Sequence, residues 1–411
     1  MQILVFGSCN IDMVYNLENI VKPGETASAE GLQKFPGGKG FNQAVASARS
    51  GCRVSLAGKI GRDGIFMKRL AEGYGINTEF LEITDSPTGH AIIQVDKSGE
   101  NSIIIFGGAN RKIDEQFADK VLDSLGYGDI IILQNEISCL DYIIDKAFKK
   151  GIKTVLNMSP VTNELKMIDK SKLYCVLVNE GEAEACFGAK TPSEFTNIIL
   201  SEYPQMNALL TLGRHGSIYI SQNKIYRTPA FETKTVDTTA AGDTFTGYFI
   251  TSLANGDAPE DALRLASCAA AIAVSKKGAS SSIPSRDEVL SLMPEMSPSE
   301  FFCEDDYKAE LLMRYINENI SSADLSGAAA VLGYSTTYTG SWIKKHFDIG
   351  FSELLGKTRC RRAAELLRTT ELSVSDIINR VGYTNESHFR SIFLKIYGTT
   401  PLSYRKKENL M

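Results

Sequence analysis

Apolar positions recur in two alternating patterns over roughly the first 290 residues. Short β-branched runs at Ile3–Gly7, Val54–Gly58, Ile103–Phe106, Ile130–Leu133, Thr154–Asn157, Cys175–Asn179 and Ala208–Thr211 read as strands. Between them, Asn42–Ser50, Gly64–Tyr74, Cys139–Lys150 and Glu260–Ser275 carry apolar residues at helical spacing. Buried strands alternating with amphipathic helices predict an α/β fold, a mostly parallel sheet covered by helices on both faces. Two stretches break the alternation. Met13–Phe35 and Gly89–Phe106 read as strands with turns, which predicts a small separate β layer. Further on, Lys224–Val236 reads as β-rich and Thr244–Leu253 as an apolar helix.

The pattern changes near Pro284–Asp306, which holds three prolines, several serines and the acidic cluster Glu304-Asp305-Asp306. From Tyr307 onward every periodic stretch is helical. The expected division is a first domain over 1–293, a linker over 294–306 and an all-α domain over 307–411. A chain of 411 residues exceeds one typical core, in keeping with that division.

Composition narrows the class. No apolar run approaches the ~18 residues that a membrane span needs, and the start Met1–Ser8 reads as a first strand, not a signal peptide. The eight cysteines (Cys9, Cys52, Cys139, Cys175, Cys186, Cys268, Cys303, Cys360) form no CxxC pair and no Cys/His ligand spacing. Neither a zinc site nor a disulfide framework is expected, and reduced thiols in a cytoplasmic protein are. Net charge is −5, unevenly spread. Ser341–Lys407 holds 13 Lys/Arg against 6 Asp/Glu, so the remainder carries −12. A basic C-terminal module on an acidic body fits nucleic-acid binding, though solvated helix faces give the same count.

Two glycine-containing turns carry the candidate chemistry. Asp237-Thr238-Thr239-Ala240-Ala241-Gly242-Asp243 ends the β-rich segment and opens the apolar helix. Small residues at a helix start let backbone N–H groups approach an anion, and the helix dipole favours negative charge there. An aspartate beside such a site is placed to take a proton, which points to phosphoryl transfer to a hydroxyl with Asp243 as base. A plain turn with an aspartate N-cap reads equally well from these residues alone. The second turn, Gly37-Gly38-Lys39-Gly40-Phe41-Asn42-Gln43-Ala44, lacks the GxxxxGK[ST] spacing of a P-loop. Its glycines could let backbone approach a polyhydroxy ligand while Lys39 and Asn42 supply hydrogen bonds. Gly58-Lys59-Ile60-Gly61-Arg62-Asp63-Gly64 lacks GxGxxG spacing and reads as a turn.

Together these two signatures resemble the ribokinase-like, or PfkB, carbohydrate kinases over Met1 to about Met293. Gly38–Ala44 is followed by Gly51 and Gly61 at the family spacing, and Asp237–Asp243 is the second signature. Tyr248 departs from it, standing where Ala or Gly is usual, and is expected to change packing behind the base without touching a reacting group. The resemblance implies Asp243 as base and the N–H groups of Ala241, Gly242 and Asp243 as an anion hole. It implies a sugar site from Asn10, Asp12, Gly38, Lys39, Asn42 and Glu136. Asn179-Glu180-Gly181-Glu182 matches the family's NxxE motif, with Glu182 acting on magnesium through water and Asn179 near the nucleotide phosphates. Thr211, Gly213 and Gly216 resemble the ATP-side loop. Asp237, Thr239, Ala273, Lys276, Gly278 and Ser282 match a monovalent-cation site, which implies potassium activation. Asp12 and Glu136 would repel an anionic phosphosugar, which favours a neutral sugar or nucleoside, and the pattern favours a pentose. The separate β layer would be a lid that excludes water. Dimerisation through the lid is implied as well.

Tyr307–Lys407 resembles the AraC-type DNA-binding domain, which holds two helix-turn-helix units. The second unit is Leu372–Tyr383, then Asn385–Lys395, then Gly398-Thr399-Thr400-Pro401. Gly382 fits the tight turn, and Phe389, Ile392, Phe393 and Ile396 recur as a core face. Glu386, Ser387, His388, Arg390 and Ser391 are then expected to face a major groove, with Lys395, Arg405, Lys406 and Lys407 on phosphates of double-stranded DNA. In the first unit Gly333, Ser335 and Lys344–Phe347 match. Thr339, Gly340 and Ser341 stand where a leucine, a polar residue and an arginine are usual, which leaves DNA reading by that unit open. Arg359, Arg361 and Arg362 read either as phosphate contacts or as a solvated face. The whole resemblance implies a sugar kinase that binds DNA; the alternative is a transcription regulator whose kinase fold is a sugar or nucleoside sensor.

Overall fold

The computed structural model describes residues 1–21, 24–97, 101–299, 304–370 and 372–408. They form two compact units, Met1–Phe301 and Phe302–Met411. The first unit contains β1 (Ile3–Phe6), β2 (Asn10–Asn16), β3 (Gly31–Gly37), β4 (Val54–Gly61), β5 (Leu81–Thr84), β6 (Gly89–Val95), β7 (Asn101–Phe106), β8 (Ile130–Gln134), β9 (Lys153–Asn157), β10 (Cys175–Asn179), β11 (Asn207–Thr211), β12 (Ser217–Ser221) and β13 (Lys224–Thr228). Nine of them make one sheet in the order β13-β12-β11-β10-β9-β8-β1-β4-β5. Its pairs are parallel from β11 through to β5, and β12 and β13 close one edge antiparallel. The strands are apolar on both faces because helices cover both.

The strand order reverses at β1, which lies between β4 and β8. A crevice opens beyond the carboxyl ends of strands at such a point. Here the chain leaves β1 toward Ser8 and Asn10, and leaves β8 toward Glu136. The predicted β layer is present as a second sheet, in the order β3-β2-β6-β7. Asn10 pairs with Gly37 on one side and Gly89 on the other, so the layer springs directly from the crevice.

Three expectations need correction. Gly58–Gly61 is no turn: it continues β4, where Gly58–Gly61 pair with Leu81–Thr84. Of Lys224–Val236 only Lys224–Thr228 is strand; Pro229 follows directly, has no N–H to donate, and the chain leaves the ladder. The stretch expected as linker from 294 stays attached as far as Ser299. Glu232 N–H donates to the Ser297 carbonyl at 2.9 Å, and Ser299 N–H to that of Ala230 at 2.8 Å.

The second unit is all helical: Glu304–Glu318, Leu325–Leu332, Thr336–Phe347, Phe351–Thr369, Val374–Arg380, Glu386–Tyr397 and Pro401–Glu408. It repeats one plan. Asp324 and Ser373 cap the helices that precede the two turns, and Ser335 and Asn385 cap the helices that follow them. The helix Phe351–Thr369 gives Leu354 and Leu355 to a core with Leu312, Trp342 and Ile343, and Cys360, Ala363 and Leu367 to a core with Ile378, Phe389 and Phe393. Gly382 is required in its turn: its φ is +86°, and a Cβ there would lie 2.4 Å from the Ser321 carbonyl oxygen.

Candidate active site and nucleic-acid interface

The helix Ala241–Ala254 starts three residues earlier than its apolar pattern suggested. Ala240, at φ +61°, turns the chain into it, so Ala241, Gly242 and Asp243 form its first turn. Amides here have no intrahelical acceptor. One of the three expected anion-hole donors is engaged: Ala241 N–H donates to the Thr238 carbonyl at 3.2 Å. Asp243 is buried, with 7% of its surface exposed. Asn42 Nδ2 donates to one carboxylate oxygen at 3.0 Å and Gln43 Nε2 to the other at 2.8 Å. Gln134 Nε2 in turn donates to Gln43 Oε1 at 2.7 Å. Two neutral amides thus orient the carboxylate without cancelling its charge. The helix Lys39–Arg49 brings both of them in.

The residues expected to bind sugar converge on the crevice. Gly38, at φ +89°, starts that helix, and a Cβ on it would lie 2.7 Å from the Asn10 nitrogen. Lys39 N–H reaches Glu136 Oε2 at 3.4 Å, and the Ser8 hydroxyl donates to the same oxygen. Asn10 is buried, and its Oδ1 accepts from Asn110 Nδ2 at 2.7 Å. The Oδ1 of Asn42 is buried with no hydrogen-bond partner, an acceptor suited to a ligand hydroxyl. Burial, and then the charges of Glu136 and Asp243, push the Asp12 carboxyl up to about 7. Burial works against the Lys39 ammonium, but Asp243, Glu136 and Glu182 outweigh it and hold its pKa above the usual lysine value. Four carboxyl groups, Asp12, Glu136, Glu182 and Asp243, therefore share one region with the Lys39 ammonium.

Two cavities meet at the start of the Asp243 helix. The smaller, about 260 Å³, is lined by Lys39, Asn179, Glu182 and Asp243 among others. The larger, about 560 Å³, is lined by Thr211, Gly213, Gly216, Phe231 and Phe245 among others. Thr211, Thr238, Ala241 and Gly242 line both. The NxxE motif serves as cap and cavity wall together: Glu182 N–H donates to Asn179 Oδ1 and Asn179 N–H to Glu182 Oε2, both at 2.9 Å. Among the described residues no cluster of three or more His, Cys, Asp or Glu could hold a metal. A single carboxylate at a cavity fits an ion that arrives on phosphate oxygens and keeps its waters.

The residues matched to a monovalent cation are partly joined. Asp237 accepts from the N–H groups of Thr239 at 2.9 Å and Gly278 at 3.0 Å. Burial opposes its charge, but the Thr239 hydroxyl, then these two N–H groups and the Lys277 charge, prevail and hold its carboxyl below the usual value. The Ala273 carbonyl accepts the Lys276 N–H at 3.1 Å, the Lys276 ammonium pairs with Glu288, and Ser282 bonds to the Ala279 carbonyl. Tyr248 is fully buried, and its hydroxyl donates to the Pro284 carbonyl at 2.8 Å, away from the reacting groups.

Sequence reasoning missed Ser8, Gln43, Gln134 and Asn110. Gln43 lay inside the quoted signature, adjacent to Asn42. The other three become visible only once β1, β8 and the turn after β7 are side by side.

Residues 1–286 match the pfkB family carbohydrate kinase model, and residues 328–407 match a helix-turn-helix domain. The chain belongs to the PfkB family of carbohydrate kinases. It is 36% identical over 301 residues to the ribokinase of Haemophilus influenzae, covering 70% of this chain and 97% of that one. The ribokinase structure from Thermotoga maritima matches with a TM-score of 0.64 and 36% identity, covering 72% of this chain and 99% of that one. That of Cryptococcus neoformans, solved with ADP, matches with 0.64 and 34%, covering 71% and 99%. A ribokinase-like sugar kinase is thus joined to an AraC-type helix-turn-helix domain.

In that second domain the helix Glu386–Tyr397 exposes Ser387, His388, Arg390, Ser391 and Lys395. Glu386 is tied down: it accepts from the Ser375 hydroxyl and from Arg390 at 3.0 Å, which also holds its carboxyl below the usual value. Other expectations are revised. Arg405 bonds to the carbonyls of Leu367 at 3.1 Å and Leu372 at 2.7 Å, and Arg359 to those of Ile320 at 2.8 Å and Ser321 at 2.9 Å. Both arginines hold backbone carbonyls. Arg361 and Arg362 are exposed, Arg362 in a pair with Glu365. Ile396 is 40% exposed rather than core, and the side chains of Lys406 and Lys407 lie outside the described residues. In the first half Thr339 is fully buried in the leucine position, and the helix runs through Gly340 unbroken.

Proposed function

We propose that this chain transfers the γ-phosphoryl group of ATP to a hydroxymethyl group of a neutral pentose, ribose or a close relative, and regulates transcription by binding DNA in the cytoplasm. The observation that carries the kinase reading is the Asp243 carboxylate, held by Asn42 and Gln43 where the two cavities meet. A sugar oriented by Asn10, Asp12, Lys39, Asn42 and Glu136 presents its hydroxyl to Asp243. The carboxylate takes the proton, the oxygen bonds to the γ-phosphorus, and the bond to the departing ADP breaks. Gly242 and Asp243 amides at the helix start receive the transferred group's charge. Asn179, Glu182, Thr211, Gly213 and Gly216 serve the nucleotide, with Glu182 as the carboxylate toward magnesium, which supplies charge neutralisation on the phosphates. Asp237 and its neighbours would hold potassium; equal turnover with and without it refutes that site.

The test is a panel of pentoses, hexoses and nucleosides assayed for ATP consumption with wild type and Asp243→Asn. Turnover on a pentose that Asp243→Asn abolishes supports the proposal. Turnover that survives the substitution refutes the base. No turnover on any substrate, with sugar-dependent DNA binding, moves the reading to a sensor. For DNA, the exposed face Ser387, His388, Arg390 and Ser391 would enter the major groove and Lys395 would meet a phosphate. Lys395→Ala should lower the salt dependence of duplex binding by about one phosphate contact. The edge strand β7, whose Ile103, Ile104, Ile105 and Phe106 are each more than half exposed, supports pairing of two lids in a homodimer. Sedimentation as a monomer at micromolar concentration refutes that pairing.

A further inference from the structure

The segment after the last kinase helix does more than leave the domain. Met296–Ser299 lies beyond residue 286, where the match to the PfkB model ends. It is nevertheless docked. Met296 packs on the kinase core and its sulfur lies 3.3 Å from that of Cys268. Pro298 bridges Phe231 in antiparallel fashion, flanked by the two backbone bonds to Ala230 and Glu232.

Ser299 is the informative residue. Its hydroxyl lies 3.1 Å from the Arg214 carbonyl and 3.0 Å from the Ala230 carbonyl. Arg214 belongs to the Gly213–His215 turn, and Ala230 follows β13 by two residues. Ser299 therefore joins two walls of the larger cavity and is itself a lining residue of it. Ala230, Phe231 and Glu232, which the segment pairs with, line the same cavity. Five residues on from Ser299, Glu304 begins the first helix of the other unit.

We propose that Met296–Ser299 is a working part of the nucleotide site: an adenine nucleotide in the larger cavity tightens its pairing with Ala230–Glu232, and the segment in turn supports nucleotide affinity. This rests on the reading of that cavity as the nucleotide site. A ligand that binds only the paired arrangement must stabilise it, and the coupling is reciprocal. Nucleotide occupancy then sets the state of Met296–Ser299.

The test is amide hydrogen exchange of the full chain with and without saturating ADP, together with ADP affinity by calorimetry. The expected result is slowed exchange at Glu232 and Ser299 alongside Gly213–Gly216. Slowing at Gly213–Gly216 with unchanged exchange at Glu232 and Ser299 overturns the proposal while the nucleotide reading stands. No slowing anywhere and no heat of binding overturns both. Ser299→Ala removes the hydroxyl bridge and should weaken ADP binding about 2- to 10-fold. Ser299→Pro also removes the amide donor and should weaken it further. Unchanged affinity in both variants refutes the segment's part in the site.

Discussion

Asp12→Asn should stabilise the kinase unit at neutral and alkaline pH while removing a group proposed to bind the sugar. Asp12 sits in the middle of β2, paired with Phe35 and Ala91, with Glu136 and Asp243 as charged neighbours. Its carboxyl is pushed from 3.8 to about 7, first by burial and then by those two charges. A raised carboxyl pKa means that the folded state holds a proton which the unfolded state has lost. The stabilising contribution is complete below about pH 4 and is lost as pH rises to about 7. At about 1.4 kcal/mol per unit, the penalty at pH 8 is on the order of 4 kcal/mol, and at pH 5 about 1.6 kcal/mol. Asparagine carries no charge at either pH. Its stabilising effect should therefore grow by on the order of 3 kcal/mol between pH 5 and pH 8.

The two units allow a clean assay. The single tryptophan is Trp342, in the helix-turn-helix unit, so its emission follows that unit alone. Urea unfolding of the sugar-free chain, followed by far-ultraviolet circular dichroism and by Trp342 emission, separates the two transitions. The kinase transition should move in Asp12→Asn at pH 8 and much less at pH 5, and the Trp342 transition should not move at either. A shift of equal size at both values would mean that packing, not charge, sets the effect, and would refute the argument. A pH-dependent gain in stability with lost sugar turnover would show a binding group kept ionised against the fold's own preference.

Three further outcomes follow from the geometry. Gln43→Met removes one of the two amides that hold Asp243, and kcat should fall on the order of ten- to a hundredfold, with little change in KM for sugar; unchanged kcat would show that Asn42 alone suffices. A Cβ on Gly247 would lie 2.4 Å from that of Ala46 and 2.7 Å from the Ser47 nitrogen, where the helices carrying Asn42 and Asp243 cross. Gly247→Ala should therefore cost about 1–3 kcal/mol in the kinase transition and reduce kcat; a neutral result would show that the helices can separate without cost. Gly382→Ala meets both a left-handed φ and the Ser321 carbonyl, so duplex binding should be lost while sugar turnover is kept; intact binding would show that the second turn is not needed.

What could be read from residues alone was set by how local the signal is. Strands such as Ile130–Leu133 and helices such as Glu260–Ser275 were visible because their periodicity is completed within one element. The turn Asp237–Asp243 was visible as a helix start, yet whether Asp243 capped or catalysed depended on what faced it. What faces it comes from a different element: Asn42 and Gln43, about 200 residues earlier in the chain, hydrogen-bond to its carboxylate. The arginines show the same limit from the other side. Arg359 and Arg405 look like phosphate contacts in a basic stretch, but each finds two backbone carbonyls at the end of a neighbouring helix or loop. A guanidinium satisfies whichever acceptors the fold brings near, and sequence spacing does not encode them. Ser299 is the extreme case. As a serine in a proline- and serine-rich stretch it reads as linker, and only the pairing of Ser297 and Ser299 with Glu232 and Ala230 makes it a wall of the larger cavity. Local pattern thus identifies elements, whereas the chemistry here depends on contacts between elements far apart in the chain.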